Sequence, residues 1–197
     1  MAKKVTVEKV DLFEQHFSRV LNCYACSLSE TRNSVVFGSG SRNSKVMFIG
    51  EAPGKDEDLQ GRPFVGAAGR VLDEMLGYAG IERKDVFITN ATLCRPPNNR
   101  DPEPKEKAAC RKHLDKTIEL INPVVICTLG RHAMTSMIGD KNLGTISELH
   151  GKAVHYKGRI YMPMFHPAAS LYNRDLRPSL KADFIKLKKL LTREKIK

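Results

Sequence analysis

The sequence predicts an α/β domain whose sheet is mainly parallel and covered on both faces. Three observations predict it. Four short apolar runs, VMFIG (46–50), VFITN (86–90), VVICTLG (124–130) and RIYMPMF (159–165), read as buried strands. Segments with apolar residues at helical spacing alternate with those runs. The chain has 197 residues, the size of one domain with one core, and it shows no repeat and no low-complexity linker.

In chain order, Val10, Phe13, Phe17, Val20 and Leu21 recur at helical spacing and predict a helix up to about Asn22. A polar Ser/Asn/Gly-rich stretch from Thr31 to Ser44 precedes the first strand. Ala68, Val71, Leu72, Met75 and Leu76 form the next helical stripe, and Gly80 just beyond it is a stop signal. Leu114, Ile118 and Ile121 mark a helix from near Pro104 that ends before Pro123. A short helix from about Arg131 to Ile138 follows the third strand. Leu180, Phe184, Leu187, Leu190 and Leu191 close the chain with an amphipathic helix. In such folds ligands bind at the carboxyl ends of the strands. The residues leaving those ends are Glu51, Ala52, Pro53 and Gly54, then Asn90, then His166 and Pro167.

Lys plus Arg is 33 against 22 Asp plus Glu, a formal net charge of +11. An excess that large points to a polyanionic partner, without separating DNA from RNA or anionic lipid. The apolar content of 41% excludes a disordered chain, and no apolar run is long enough for a membrane span. The opening MAKKVTVEKVD puts charge where a signal peptide needs an apolar core, so a reducing cytoplasmic location is expected.

In that compartment the five cysteines read as ligands or core residues. Cys23 and Cys26 form a C-x2-C pair, Cys94 and Cys110 stand much later, and Cys127 sits in an apolar strand as a core thiol. Spacing alone leaves an iron–sulfur cluster, zinc and unrelated thiols equally open.

GEAPGKDED (50–58) is not a phosphate-binding Walker loop, because one residue is missing between its glycines and Asp56 stands where Ser or Thr is needed. Its carboxylates Glu51, Asp56, Glu57 and Asp58 form either a solvated acidic loop or a group that orients a water or holds a cation. A metal-dependent nuclease is one reading of such a loop. Phe64, in the Gly/Pro-rich GRPFVGAAG, is a core lid or a platform for a base. CRPPNNRDP (94–102) is stiffened by prolines and presents Arg95 and Arg100, either to solvent or to phosphates.

Together these segments resemble the family 4 uracil-DNA glycosylases, the iron–sulfur branch of their superfamily. The motifs that carry the resemblance are Cys23-x-x-Cys26, GEAPGKDED, GRPFVGAAGRVL, TNATLCRPPNNRDP, Cys110 and FHPAASL, in the family's order from Cys23 to Leu171. The resemblance implies a three-layer α/β/α fold with a four-stranded, mainly parallel sheet, in one domain spanning 1–197. It implies a [4Fe–4S] cluster on Cys23, Cys26, Cys94 and Cys110, leaving out Cys127. It implies that Phe64 stacks on a flipped uracil, Asn90 reads its Watson–Crick edge, and His166 hydrogen-bonds O2 as negative charge develops. Glu51, Glu57 and Asn99 match positions tied to catalysis or to water and base positioning, with the choice between Glu51 and Glu57 open. Ala52, at the uracil-binding turn, replaces the aspartate common elsewhere in the superfamily, as expected for family 4. A related branch carries a basic, histidine-bearing insertion after the FVG motif. Here Gly69 runs straight into RVLDEML, which argues against that branch's covalent route.

The expected partner is uracil-containing DNA, single- or double-stranded, bound by a monomer with no membrane association. Arg95 and Arg100 are candidate DNA contacts. Leu171, which follows the HPAA turn, is a candidate wedge into the base stack or else a core leucine. The alternative function is a non-catalytic iron–sulfur module that binds nucleic acid.

Overall fold

A computed structural model describes residues 2–139 and 144–196, with side chains described from Asp11 onward. Val10, the first residue of the predicted stripe, therefore has its side chain outside the described set. Six strands, β1 (Ser39–Gly40), β2 (Val46–Gly50), β3 (Phe87–Asn90), β4 (Val125–Leu129), β5 (Val154–Tyr156) and β6 (Arg159–Met164), form one sheet in the order β1-β3-β2-β4-β6-β5. The predicted four strands are its central members, and all their pairings are parallel. The sheet is wider than the expected four because β1 and β5 add antiparallel edges. These edge strands are two and three residues long and partly solvent-facing, so they leave no apolar run to detect.

Alternation along the central strands fills both faces. Met47 and Ile49 of β2 point one way, towards Phe13 and Val20 of α1 (Ala2–Leu21) and Leu114 and Ile118 of α4 (Pro104–Ile121). Phe48, between them in sequence, points the other way. It meets Leu72, Met75 and Leu76 of α3 (Ala67–Ala79) and Leu180, Phe184 and Leu187 of α8 (Leu176–Arg193). The Phe48 and Phe184 rings stack with centroids 5.7 Å apart. This yields the expected three layers. Leu21, assigned to the buried stripe of the first helix by its spacing, instead faces solvent.

The predicted stops operate as glycine and proline dictate. Gly80 adopts the left-handed conformation (φ +69°) and its N–H closes on Leu76 and Gly77 carbonyls. α4 opens with Pro104 at its first turn and a reciprocal cap between Glu103 and Glu106. Short helices the periodicity missed are α2 (Lys55–Gln60), α6 (Ile146–Leu149) and α7 (Ala169–Tyr172), while α5 (Arg131–Ile138) lies where it was predicted. Among the described residues, no helix is long and apolar enough to cross a membrane.

The order β3-β2-β4 places the strands that follow β2 on opposite sides of it. Connections therefore leave the carboxyl ends of β2 and β4 in opposite directions and open a crevice there.

Candidate active site

Gly50, the last residue of β2, lies in register with Asn90, the last residue of β3. A Cβ at Gly50 would fall 2.3 Å from Asn90 Oδ1 and 2.8 Å from Phe64 Cζ. Only glycine lets the carboxamide and the ring share this spot. Gly69 does similar work in α3, where a Cβ would collide with the Phe64 carbonyl at 1.9 Å, so the helix packs directly on the Phe64 backbone. Phe64 itself sits at φ +52°, a strained value for a bulky residue. Its ring centroid lies 5.7 Å from that of His166. Asn90 is buried, its carboxamide oxygen beside the Phe64 ring over Gly50.

His166 leaves the end of β6. Its Nδ1 accepts the Ala168 N–H at 3.1 Å, so the neutral ring carries its proton on Nε2. Burial pushes its pKa down to about 4, against a small opposing effect of the Glu57 charge. The imidazole is thus a neutral donor at physiological pH.

His166 shares a cavity of about 300 Å³ with Glu51, Ala52, Asn99 and Asp101. Burial raises the Glu51 pKa, and its Oε1 is enclosed without a hydrogen bond. A groove of about 540 Å³ at the opposite, amino ends of the strands is larger. It is lined by lysines, Asp85 and apolar residues, and it holds none of the predicted site residues.

The four acidic residues of GEAPGKDED do not converge. Glu57 Oε1 accepts the Val65 and Gly66 N–H groups, both at 2.9 Å, and so shapes the Phe64 loop. Asp58 is fully buried and accepts from the Asn33 backbone and side chain and the Ser34 backbone. Asp56 is exposed. Of the two candidate catalytic carboxylates, Glu51 lines the His166 cavity and Glu57 does not. The cation-holding acidic loop expected as one alternative is therefore not what these side chains form.

Arg100 is also committed elsewhere than expected. Its guanidinium grips Glu106 through two bonds of 2.8 and 2.7 Å, and Glu106 also accepts from Ser27 and the Glu103 N–H. These donors, Arg100 foremost, pull the Glu106 pKa down to about 2. Arg95 lies nearby, its Nε donating to the exposed Asn99 Oδ1 at 2.8 Å. Asn98 and Asn99 both take left-handed conformations in the turn that separates the two arginines. Leu171 is 43% exposed and its neighbour Tyr172 92% exposed on α7, which removes the core reading of Leu171.

Cys23, Cys26, Cys94 and Cys110 line one small pocket of about 20 Å³. Cys127 lies apart, fully buried in β4, where burial raises its thiol pKa. Three of the four pocket sulfurs have an N–H partner. Arg32 Nη1 donates to Cys94 (3.3 Å), Leu93 N to Cys110 (3.3 Å), and His113 Nε2 lies 3.1 Å from Cys23 Sγ. Such donors suit thiolates bound to metal. Among the described residues no three cysteine sulfurs come within 4.8 Å of one another. A single tetrahedral zinc with bonds of about 2.3 Å holds its sulfurs about 3.8 Å apart. Burial pushes the Cys110 thiol up to about 12, so its ionised form needs a positive partner at that spot.

The sequence reading missed Arg32, His113 and His132. His113 follows Cys110 at i+3, one helical turn along the same face, which was a usable signal. His132 lies just beyond the β4 carboxyl end, where the strand-end rule applies equally. Nothing in the local sequence marks Arg32.

Comparison with known proteins yields consistent relatives. The family model of the Uracil DNA glycosylase superfamily matches residues 37–189. A Type-4 uracil-DNA glycosylase of Sulfurisphaera tokodaii is 45% identical over 189 residues, covering 92% of this chain and 86% of that protein. One of Thermotoga maritima is 42% identical, with 93% and 97% covered. A Type-5 uracil-DNA glycosylase of Thermus thermophilus is 29% identical over 147 residues, covering 66% of this chain and 67% of that one.

Proposed function

The chain belongs to the uracil DNA glycosylase superfamily, and from that premise we propose that it is a type-4 uracil-DNA glycosylase, a DNA repair hydrolase that removes uracil and leaves an abasic site. The observation that carries the reading is the meeting of the buried Asn90 carboxamide and the Phe64 ring over Gly50, beside the neutral His166.

The N-glycosidic bond is inaccessible inside a duplex, so the nucleotide flips into the pocket. Phe64 stacks on the base. Asn90 donates to O4 and accepts from N3–H, a polarity that matches uracil and opposes cytosine. The C1′–N1 bond then breaks and its electron pair stays on uracil. His166 donates its Nε2–H to O2 and stabilises that charge without itself needing an added proton. Positive charge builds on the sugar, and Glu51 stabilises it and orients a water. The water oxygen bonds C1′, and its proton passes to Glu51. Asn99 and Ala52 complete the pocket wall, and Glu57 acts by fixing the Phe64 loop.

Cys23, Cys26, Cys94 and Cys110 would hold a [4Fe–4S] cluster. When bound, it supplies a cross-link between the end of α1, the loop after β3, and α4. We read the whole chain as one catalytic domain that acts as a monomer in the cytoplasm on uracil-containing DNA. The basic balance of +11 supports attraction to the phosphate backbone.

The test is incubation of the pure protein with a uracil-containing oligonucleotide, with and without a chelator of divalent cations. Free uracil and an alkali-labile site, both surviving the chelator, support the reading. Strand breaks that stop with the chelator support a nuclease. Binding without release supports a non-catalytic module.

A further inference from the structure

Beside the cavity, one imidazole stands between two carboxylates. His132, at the start of α5, places Nδ1 3.4 Å from Glu51 Oε1 and Nε2 3.4 Å from Asp101 Oδ2. Arg131 Nη2 lies 3.2 Å from the same Nε2. A guanidinium only donates, so the neutral ring accepts at Nε2 and turns its Nδ1–H towards Glu51. An imidazolium would instead offer an N–H to each carboxylate.

We propose that His132 is a positioning residue for Glu51, its Nδ1–H directed at Oε1 so that the Glu51 carboxylate stays aimed into the His166 cavity and ready to accept a proton from water. The proposal rests on the glycosylase reading above and adds a residue to it. Glu51 Oε1 is buried without a hydrogen bond, and a carboxylate oxygen so placed needs a nearby donor or charge to stay ionised. Contacts of 3.4 Å are long for hydrogen bonds, as catalytic contacts often are before substrate closes the site.

The groups facing Glu51 come from every element around it. His132 and Arg131 belong to α5, Lys107 (Nζ at 4.0 Å) to α4, Asp101 to the loop before α4, and His166 to the turn after β6. Burial raises the Glu51 pKa most strongly, His132 lowers it, Asp101 raises it, and Lys107 and Arg131 lower it. Removing the imidazole therefore makes the carboxylate harder to ionise. Removing the Asp101 charge makes it easier. A merely structural role for His132 predicts no such opposed pair.

The test is the pH profile of single-turnover uracil release by the intact protein. It uses wild type, His132→Gln, His132→Lys, Asp101→Asn and Glu51→Gln, with folding checked by thermal melting. The expected result is an acid limb displaced upward by about one pH unit in His132→Gln, displaced downward in Asp101→Asn, and returned towards wild type in His132→Lys. Asp101 is exposed, so its variant keeps the test open if His132→Gln fails to fold. Opposed shifts support the proposal. Unmoved limbs alongside a crippled Glu51→Gln overturn it and leave the glycosylase reading intact. A fully active Glu51→Gln overturns the assignment of Glu51 and this proposal together, and a wild type that releases no uracil overturns the proposed function itself.

Discussion

The Ala168 backbone N–H donates to Nδ1 of His166 at 3.1 Å, and this one bond decides which nitrogen of the imidazole carries its proton. The donor comes from the HPAA turn itself, so the motif that supplies the ring also sets its tautomer. With the pKa held near 4 by burial, the His166 imidazole is neutral at physiological pH.

Uracil release is therefore expected to show no loss of rate between pH 6 and pH 8 assignable to His166. The folded-state pKa lies below that of the unfolded chain, so stability from the neutral ring is complete above about pH 6.5 and is lost as pH falls towards 4. His166→Ala is expected to lower the single-turnover rate by about 10²–10³-fold, the usual effect of deleting one donor to a developing anion. Nitrogen-15 NMR of the imidazole checks the state directly. A ring protonated on both nitrogens at pH 7 would contradict it.

Asn90→Asp is expected to lose most uracil release, because a carboxylate facing O4 repels it, and to gain weak release of cytosine through its exocyclic amine. Mismatched buried polar groups discriminate by about 10⁴-fold. Retained uracil activity would leave Asn90 as a carboxamide that only caps a strand end.

Arg95 and Arg100, equivalent in sequence, are expected to separate in experiment. Arg95→Ala should weaken binding to any DNA and reduce the salt slope by about one. Arg100→Ala should lower the melting temperature, since it strips Glu106, a side chain only 2% exposed, of its bidentate partner. The stability supplied by Glu106 is present above about pH 4.5 and fades as pH falls towards 2. Calorimetry and salt-dependent binding on both variants check this. Equal melting temperatures would contradict it.

Leu171→Ala is expected to slow release from duplex DNA more than from single strands while leaving thermal stability unchanged, because the side chain faces solvent on α7. A lower melting temperature with unchanged duplex activity would return Leu171 to the core.

Cys94→Ala is expected to bleach a brown protein and destabilise it, whereas Cys127→Ala keeps the colour. Visible absorbance checks both. A colourless, zinc-loaded and fully active protein would contradict the cluster.

The central strands were legible because a short continuous apolar run, as in VMFIG, is what a strand buried on both faces of a sheet requires. The edge strands were not, since two or three half-exposed residues pair through backbone groups that side-chain identity does not record. Asn90, His166 and Glu51 were legible from their strand ends, and their meeting follows from the reversal of strand order beside β2. What one sequence could not reveal was allegiance. Glu57 and Glu51, or Arg95 and Arg100, are alike as letters and differ only in which backbone amide or buried carboxylate lies within reach. His132 was hidden for the same reason, its meaning resting on Asp101 and Glu51, which reach it from two distant segments.

The products of the reaction test glycosidic hydrolysis most directly. Mass spectrometry of a uracil-containing oligonucleotide after complete reaction should find the strand intact, lighter by one uracil and heavier by one water. It should also find one free uracil per abasic site and no protein–DNA adduct. A cut strand, a covalent adduct or an unaltered oligonucleotide would contradict hydrolysis of the glycosidic bond by the pocket around Gly50.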